Sequence, residues 1–236
     1  MYKQRKIPSA TIFRLSVYRQ HLLELRRQGR RTISSVELAR AARVNSAQLR
    51  KDLSYFGRFG VRGVGYSVDG LLQEISTILG LKHPWNVCVL GGGRIGRAIV
   101  MSGHLERRGY FVEAVFDSRD AFVGEKIGNS LKVNHVFRAP EIVPAKDVSL
   151  CMITEDVPGL NGCINTLLDS GIKGFLSLVP VMTALPSYVP VKHLDFTTLL
   201  DTLAYALTHE GGGLSDEFPE NERIMVSDNN YKQCVV

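Results

Sequence analysis

Apolar residues recur at helical spacing near the start of the chain. Leu15, Tyr18, Leu22 and Leu25 fall on one face, while Arg14, Arg19, Arg26 and Arg27 lie elsewhere around it. The pattern begins after Pro8-Ser9 and stops at Gly29, which predicts one helix between them. A second helix is announced by Ser34-x-x-Glu37, a capping box whose side chains satisfy free N–H groups at the helix start. Leu38, Ala41 and Ala42 supply its buried side. Asn45-x-x-Gln48 reads as a second box and opens a third helix, with Leu49 and Leu53 inside, Gln48, Arg50 and Lys51 outside, and Gly57 at its end. Two short capped helices joined by Arg43-Val44 make a helix-turn-helix. From Arg58 to Tyr66, glycines alternate with apolar and basic residues. That predicts a tight β-hairpin, a wing, or else a plain glycine-rich loop. Leu71, Leu72, Ile75, Ile78 and Leu79 mark a further helix from Val68 to Leu79, closing a small winged-helix domain.

Gly80 to Pro84 is the natural linker, and after it the period changes. Trp85–Leu90, Tyr110–Phe116, Val148–Ile153 and Gly174–Leu178 are short apolar runs of strand length. Helical segments fall between most of them, at Ile95–Arg108 and Val157–Ser170, with a last one at Phe196–Thr208. Strands alternating with helices predict a parallel sheet covered on both faces, so the fold class is α/β. No internal repeat is visible. From His209 the chain is acidic, begins Gly211-Gly212-Gly213 and lacks periodicity, which predicts a mostly disordered tail.

Composition sharpens the division. The chain has 236 residues, 44% of them hydrophobic, enough for a substantial core. No apolar run approaches the ~18 residues needed to span a bilayer. The basic start, Met1 to Lys6, is followed by Pro8, Ser9 and Arg14 rather than an uninterrupted apolar stretch, so no secretory leader is expected and the protein reads as cytoplasmic. Residues 1–80 carry 15 basic and 5 acidic side chains, residues 81–208 carry 12 of each, and residues 209–236 carry 2 and 6. A basic first third beside a neutral remainder implies two modules with different partners. Attraction to a phosphate backbone is the simplest use of such a patch, and a merely solvated surface is the alternative. Cys88, Cys151, Cys163 and Cys234 include no C-x-x-C pair, so a reducing compartment fits and no metal site is expected.

The stretch with the clearest chemistry is Gly91-Gly92-Gly93-Arg94-Ile95-Gly96, a G-x-G-x-x-G that directly follows a predicted strand and opens a predicted helix. Gly91 permits the turn, Gly93 lets a pyrophosphate approach the backbone, and Gly96 lets the helix pack on the strand. The phosphates then meet free N–H groups at the positive end of the helix. The second strand ends at Phe116-Asp117, 21 residues beyond Gly96. A carboxylate there hydrogen-bonds ribose hydroxyls and repels a 2′-phosphate, which favours NAD over NADP, although the nearby Arg119 is the residue type that NADP binders use. A dehydrogenase also needs a proton-transfer group. His21, His83, His104, His135, His193 and His209 carry no acid or nucleophile signature beside them and read as structural. Residues 81–208 mostly fill the nucleotide fold, leaving no room for a substrate domain. No catalytic residue is assigned.

A winged helix followed by a dinucleotide fold resembles the Rex family of redox-sensing transcriptional repressors. The resemblance runs from about Ile7 to Leu207. It is carried by Arg50-Lys51-Asp52-Leu53-Ser54-Tyr55-Phe56-Gly57, Arg62-Gly63-Val64-Gly65-Tyr66, the Gly91–Gly96 loop, Gly171-Ile172-Lys173-Gly174 and His193-Leu194-Asp195-Phe196. It implies a winged-helix DNA-binding domain over 1–80, a Rossmann NAD(H)-binding domain over 81–194, a dimer-swapped C-terminal helix over 195–208, and the tail over 209–236. It implies a homodimer on palindromic double-stranded operator DNA, held under NAD⁺ and released on NADH, with no membrane. DNA contacts are implied for Ser34, Ser35, Asn45, Ser46, Gln48, Arg50, Lys51 and Tyr55, and for the wing at Arg58 and Arg62. Arg or Lys can donate to guanine and Gln can pair with adenine in the major groove. At the cofactor the resemblance adds Thr154, Glu155, Asp156, Pro180 and Phe196, with Phe196 reaching the partner's nicotinamide pocket.

The sequence departs from the family at the switch. Members usually carry an Arg where this chain has Gln20 and a Tyr where it has Ser102, both in a network through the aspartate that matches Asp195. The loop usually reading Thr-Val-Pro by the nicotinamide is Thr154-Glu155-Asp156 here. Oxidised nicotinamide is cationic and reduced nicotinamide neutral, so two acids there predict a bias towards NAD⁺, unless both carboxylates point to water. The rival readings are an NAD-dependent oxidoreductase with a basic accessory domain, and a DNA-binding relative that uses NAD only structurally.

Overall fold

The computed structural model describes residues 7–61, 63–128, 131–180 and 185–208. These form two compact units, residues 7–83 together with 206–208, and residues 84–205.

The first unit runs α1 (Ser9–Arg27), β1 (Thr32–Ile33), α2 (Ser35–Ala41), α3 (Ser46–Ser54), β2 (Tyr66–Ser67) and α4 (Val68–Ile78). Leu15, Tyr18 and Leu22 of α1 pack on Leu38, Ala39, Ala42, Leu49, Leu53, Leu71, Leu72 and Ile75. The inward alanine of α2 is Ala39 rather than Ala41, which is exposed. The turn into α3 folds over Ala39, whose carbonyl accepts the Val44 amide at 2.9 Å. Ser34 makes the full capping box with Glu37. Asn45 makes only half of one. Its side chain accepts the Gln48 amide at 2.7 Å, but the Gln48 side chain runs forward to Asp52 at 2.9 Å, because a buried carboxylate is the stronger acceptor.

The wing is shorter than a hairpin. Val61 and Gly65 form a single antiparallel bridge, and Tyr66-Ser67 pairs instead with Thr32-Ile33. The glycine-rich stretch is therefore a turn hung from the β1–β2 ladder. Arg62 lies outside the described residues.

The second unit runs β3 (Trp85–Leu90), α5 (Arg94–Met101), β4 (Tyr110–Asp117), β5 (Lys126–Ile127), β6 (Leu131–His135), α6 (Ala139–Ala145), β7 (Val148–Ile153), α7 (Leu160–Asp169), β8 (Gly174–Ser177) and β9 (Val191–His193), followed by α8 (Phe196–Thr208), whose residues up to Tyr205 belong to this unit. Among the described residues its sheet has seven strands, ordered β5-β6-β4-β3-β7-β8-β9. All neighbours are parallel except β5 against β6. From β6 to β9 this is the doubly wound order, with the winding direction reversing between β3 and β7. Alternate residues of β3 serve the two faces. Cys88 and Leu90 join the core that includes Ile164 and Leu167 of α7, and Val89 joins Val115 and Val133 on the other side.

Three strands and a helix lack a sequence signal. β5 and β9 are too short to show a period, β6 reads Leu-Lys-Val-Asn-His, and α6 contains Pro144. The helix expected over Ile95–Arg108 stops at Met101. There the Ser102 hydroxyl donates to the Ile99 carbonyl and accepts the His104 amide, ending the ladder, and Glu106–Arg108 forms a separate 3₁₀ turn. The helix expected from Val157 starts at Leu160, because Pro158 and Gly159 form an irregular strap before it. The tail expected to be disordered lies outside the described residues.

Candidate functional site

In the first unit, α3 presents Arg50 and Lys51 to solvent, and Arg50 reaches back to the Ser35 hydroxyl at 3.3 Å. Ser34 and Asn45 cap α2 and α3, Ser46 and Tyr55 are half-buried at the ends of α3, and Arg58 is exposed. The face is thus a capped helix with two exposed cations, Arg50 and Lys51.

Behind it lies a charge cluster with no direct motif. Asp52 is fully buried. Arg14 donates to both its oxygens at 2.7 Å, Tyr18 donates at 2.8 Å, Thr11 at 3.1 Å and Gln48 at 2.9 Å. Burial alone pushes this carboxyl upward, but the hydrogen bonds from Arg14 and Tyr18 outweigh it and hold it below the ordinary range. Arg14 and Gln48, expected on outer faces, are therefore half-buried partners of Asp52. The available signal was Asp52's place on the Leu49–Leu53 stripe, since a carboxylate on an apolar stripe needs a buried partner.

In the second unit, the expected cofactor residues other than Phe196 fall at the carboxyl ends of β3, β4, β7 and β8. The turn after β3 is tight. Gly91 has φ +115° and donates to the Phe116 carbonyl at 2.9 Å. A Cβ on Gly96 would strike the Gly91 carbonyl, so helix and loop can approach this closely only through glycine. Thr154 is buried, and its hydroxyl lies 3.2 Å from both the Leu90 and Gly91 carbonyls, tying β7 to the loop. Arg94 and Ile95 are exposed on the first turn of α5. Arg97 holds the loop from below, donating to the Gly92 carbonyl at 2.8 Å and pairing with Glu125.

Asp117 is fully buried at the end of β4. Its Oδ2 accepts the Gly92 amide and an Arg119 amino group, each at 2.7 Å, and its Oδ1 accepts the Arg119 amide and Nε, each at 2.9 Å. Burial pushes this carboxyl upward too, and the hydrogen bonds from Arg119 and Gly92 outweigh it, leaving it lowered. Arg119 also donates to Glu155 at 2.7 Å and lies 4.3 Å over the Phe122 ring. Glu155 is thus neither turned to water nor unpaired in the cleft. Asp156 beside it is exposed.

A glycine cradle at a helix N-terminus with a carboxylate at the next strand end fits a dinucleotide: Gly91, Gly93 and Gly96 would hold its pyrophosphate and Asp117 its ribose. Pro180 and Phe196 are exposed beyond β8 and at the start of α8. Gln20 is exposed on α1, Ser102 ends α5, and Asp195 accepts from the Thr197 amide and the Thr197 and Thr198 hydroxyls at the start of α8. His135 accepts the Phe137 amide, a structural use. Among the described residues no cluster of His, Cys, Asp and Glu could hold a metal ion, and no helix is long and apolar enough to cross a membrane.

Two family models match the chain. One, described as "Putative DNA-binding protein N-terminus", covers residues 6–54, and the other, described as "CoA binding domain", covers residues 82–181. A redox-sensing transcriptional repressor Rex from Syntrophobacter fumaroxidans is 42% identical over 206 residues, spanning 87% of this chain and 98% of the relative. Its counterpart from Carboxydothermus hydrogenoformans is 38% identical over 205 residues, 87% of this chain and 98% of the relative. Among solved structures, RSP in complex with β-NAD⁺ and operator DNA superposes with a TM-score of 0.78 at 28% identity, covering 87% of this chain and 94% of that one. RSP in complex with β-NADH superposes with a TM-score of 0.76 at 26% identity, covering 87% and 96%.

Proposed function

The chain belongs to the Rex family of redox-sensing transcriptional repressors, and from that premise we propose that it binds palindromic operator DNA as a homodimer and releases it when NADH is bound. The observation that carries this reading is the pairing, in one chain, of a basic helix-turn-helix with a doubly wound sheet bearing the glycine cradle and Asp117 at its switch point. Arg50 and Lys51 supply base or phosphate contacts, and Arg58 and Arg62 supply backbone contacts from the wing. The resident ligand supplies the redox signal when bound, since its nicotinamide is cationic when oxidised and neutral when reduced. This chain's residues hold it: the cradle takes the pyrophosphate, Asp117 the ribose, and Thr154 ties the end of β7, just before Glu155 and Asp156, to the glycine loop.

Thiol chemistry at the cysteines among the described residues is a poor alternative source of the signal. Cys88, Cys151 and Cys163 are buried, and burial together with a hydrogen bond that the Cys151 thiol donates to Cys88 drives the Cys151 thiol well above its ordinary value. The relatives are repressors rather than enzymes, which removes the oxidoreductase reading. A repressor of this kind acts in the cytoplasm, where its operator is. Its homodimer is supported by α8, whose Phe196, Leu199, Leu200, Leu203 and Leu207 are exposed along one helical stripe. Coupling requires that NADH favour a dimer arrangement whose recognition helices no longer match the half-site spacing, because a ligand shifts states only through differential affinity.

Operator binding followed by fluorescence anisotropy at fixed salt tests the reading, using an AT-rich palindrome titrated separately with NADH and NAD⁺. Release by NADH alone is expected. Tight binding indifferent to both nucleotides would favour the form of the protein that uses NAD(H) only structurally, as the changes at Gln20, Ser102 and Glu155 would allow.

A further inference from the structure

The carboxylate of Glu155 lies against the Cα of Gly93, in the space that a Cβ there would fill. That is the space the missing side chain leaves for a pyrophosphate. Glu155 is held there by Arg119 at 2.7 Å, and the same guanidinium saturates Asp117, the ribose acceptor. Both carboxylates and the guanidinium are at least half-buried, with side-chain exposures of 0% for Asp117, 16% for Glu155 and 28% for Arg119, so solvent screens them weakly. The guanidinium also lies 4.3 Å over the Phe122 ring.

We propose that Glu155 is an internal stand-in for the nucleotide's pyrophosphate, latched over the glycine cradle by Arg119, so that every adenine dinucleotide must displace it to bind. The proposal rests on the nucleotide-binding reading and goes beyond it. The latch closes the pyrophosphate and ribose subsites together, because Arg119 must leave Asp117 before ribose hydroxyls can reach its oxygens. It opposes binding through the half of the ligand that NAD⁺ and NADH share. It therefore raises the concentration at which the sensor responds without choosing between the two redox forms. This replaces the expectation that Glu155 biases the site towards NAD⁺ through the nicotinamide charge: its own charge is already committed to Arg119 at the other end of the cleft.

The test is titration calorimetry of the full chain and of Glu155→Ala and Glu155→Gln with five probes: adenosine, ADP, NADH, NAD⁺ and coenzyme A. Glu155→Ala should tighten ADP, NADH and NAD⁺ by one common factor of about tenfold, the equivalent of a single charge-assisted contact. Adenosine has no phosphate, and its ribose meets the Arg119–Asp117 pair in both forms because Glu155→Ala leaves that pair in place, so it should change by less than about twofold. Glu155→Gln keeps the volume and loses the charge, so it should give part of the same gain. Coenzyme A, which also carries a pyrophosphate, should follow ADP if it binds.

Unchanged ADP affinity in both variants overturns the latch while leaving the NAD(H) reading intact. A gain confined to NADH or to NAD⁺ overturns it in favour of nicotinamide discrimination. A gain for ADP in a protein that binds neither dinucleotide upholds the latch and overturns the NAD(H) reading. Folded variants and wild type that bind none of the probes overturn both.

Discussion

At the scale of single residues, the structure depends on buried charge that has been completely satisfied. Asp52 receives four side-chain partners, and removing it leaves the Arg14 guanidinium and the Tyr18 hydroxyl facing one another without an acceptor. Asp52→Ala should therefore destabilise the chain by about 3–5 kcal/mol in urea unfolding, and Arg14→Ala by a similar amount, because each strands a buried partner. The double variant should cost much less than the sum of the two. The pH dependence has a defined sign. The folded carboxyl titrates below its ordinary 3.8, so the stability it contributes is present above about pH 4 and is lost as pH falls through the lower, folded value. Asp117 behaves the same way, held below its ordinary range by Arg119 and Gly92 against its burial. Thermal melting from pH 6 down to pH 2.5 should show this loss below about pH 4, and Asp52→Asn should shrink it.

At the scale of elements, what matters is how closely α5 approaches the loop that precedes it. Gly96 sits against the Gly91 carbonyl with no room for a methyl group. Gly96→Ala must push α5 away from β3, so it should cost about 1–3 kcal/mol of stability. It should also abolish dinucleotide binding, read by calorimetry, while leaving operator affinity in the absence of nucleotide unchanged. Retention of full nucleotide affinity by this variant would remove the cradle from the site. The strap at Pro158-Gly159 and the Ser102 cap show the same principle in reverse. Local hydrogen bonding and backbone geometry set where α5 and α7 begin and end, and hydrophobic spacing alone overran both helices.

At the scale of the whole molecule, the chain pairs a positively charged module with a neutral one and carries an apolar stripe on α8. Exposed leucines at 199, 200, 203 and 207 repeat at helical spacing, which makes one face that water covers only at a cost. Sedimentation of the variant with both Leu200→Asp and Leu203→Asp should give a monomer where the wild type gives a dimer. Its affinity for a palindromic operator should fall by about 100-fold or more, since the second half-site is then bound without the benefit of linkage. A variant that stays dimeric would move the interface elsewhere.

Much of this was legible from sequence because it is local. Capping at Ser34, the stripe of Leu15, Tyr18 and Leu22, the apolar runs of β3, β4 and β7, and the glycine spacing from 91 to 96 are all written within a few residues of one another. They determine a helix-turn-helix followed by a nucleotide fold, and the family. What only the tertiary structure decided depends on residues distant in the chain. The pairing of Arg14 with Asp52 spans 38 residues, and that of Arg119 with Glu155 spans 36. No periodicity predicts which way such side chains turn, because the choice rests on which carboxylate the fold brings within reach of which cation. That is why Gln48 was expected outside and lies against Asp52. It is also why Glu155, expected to face the nicotinamide or water, lies instead over Gly93.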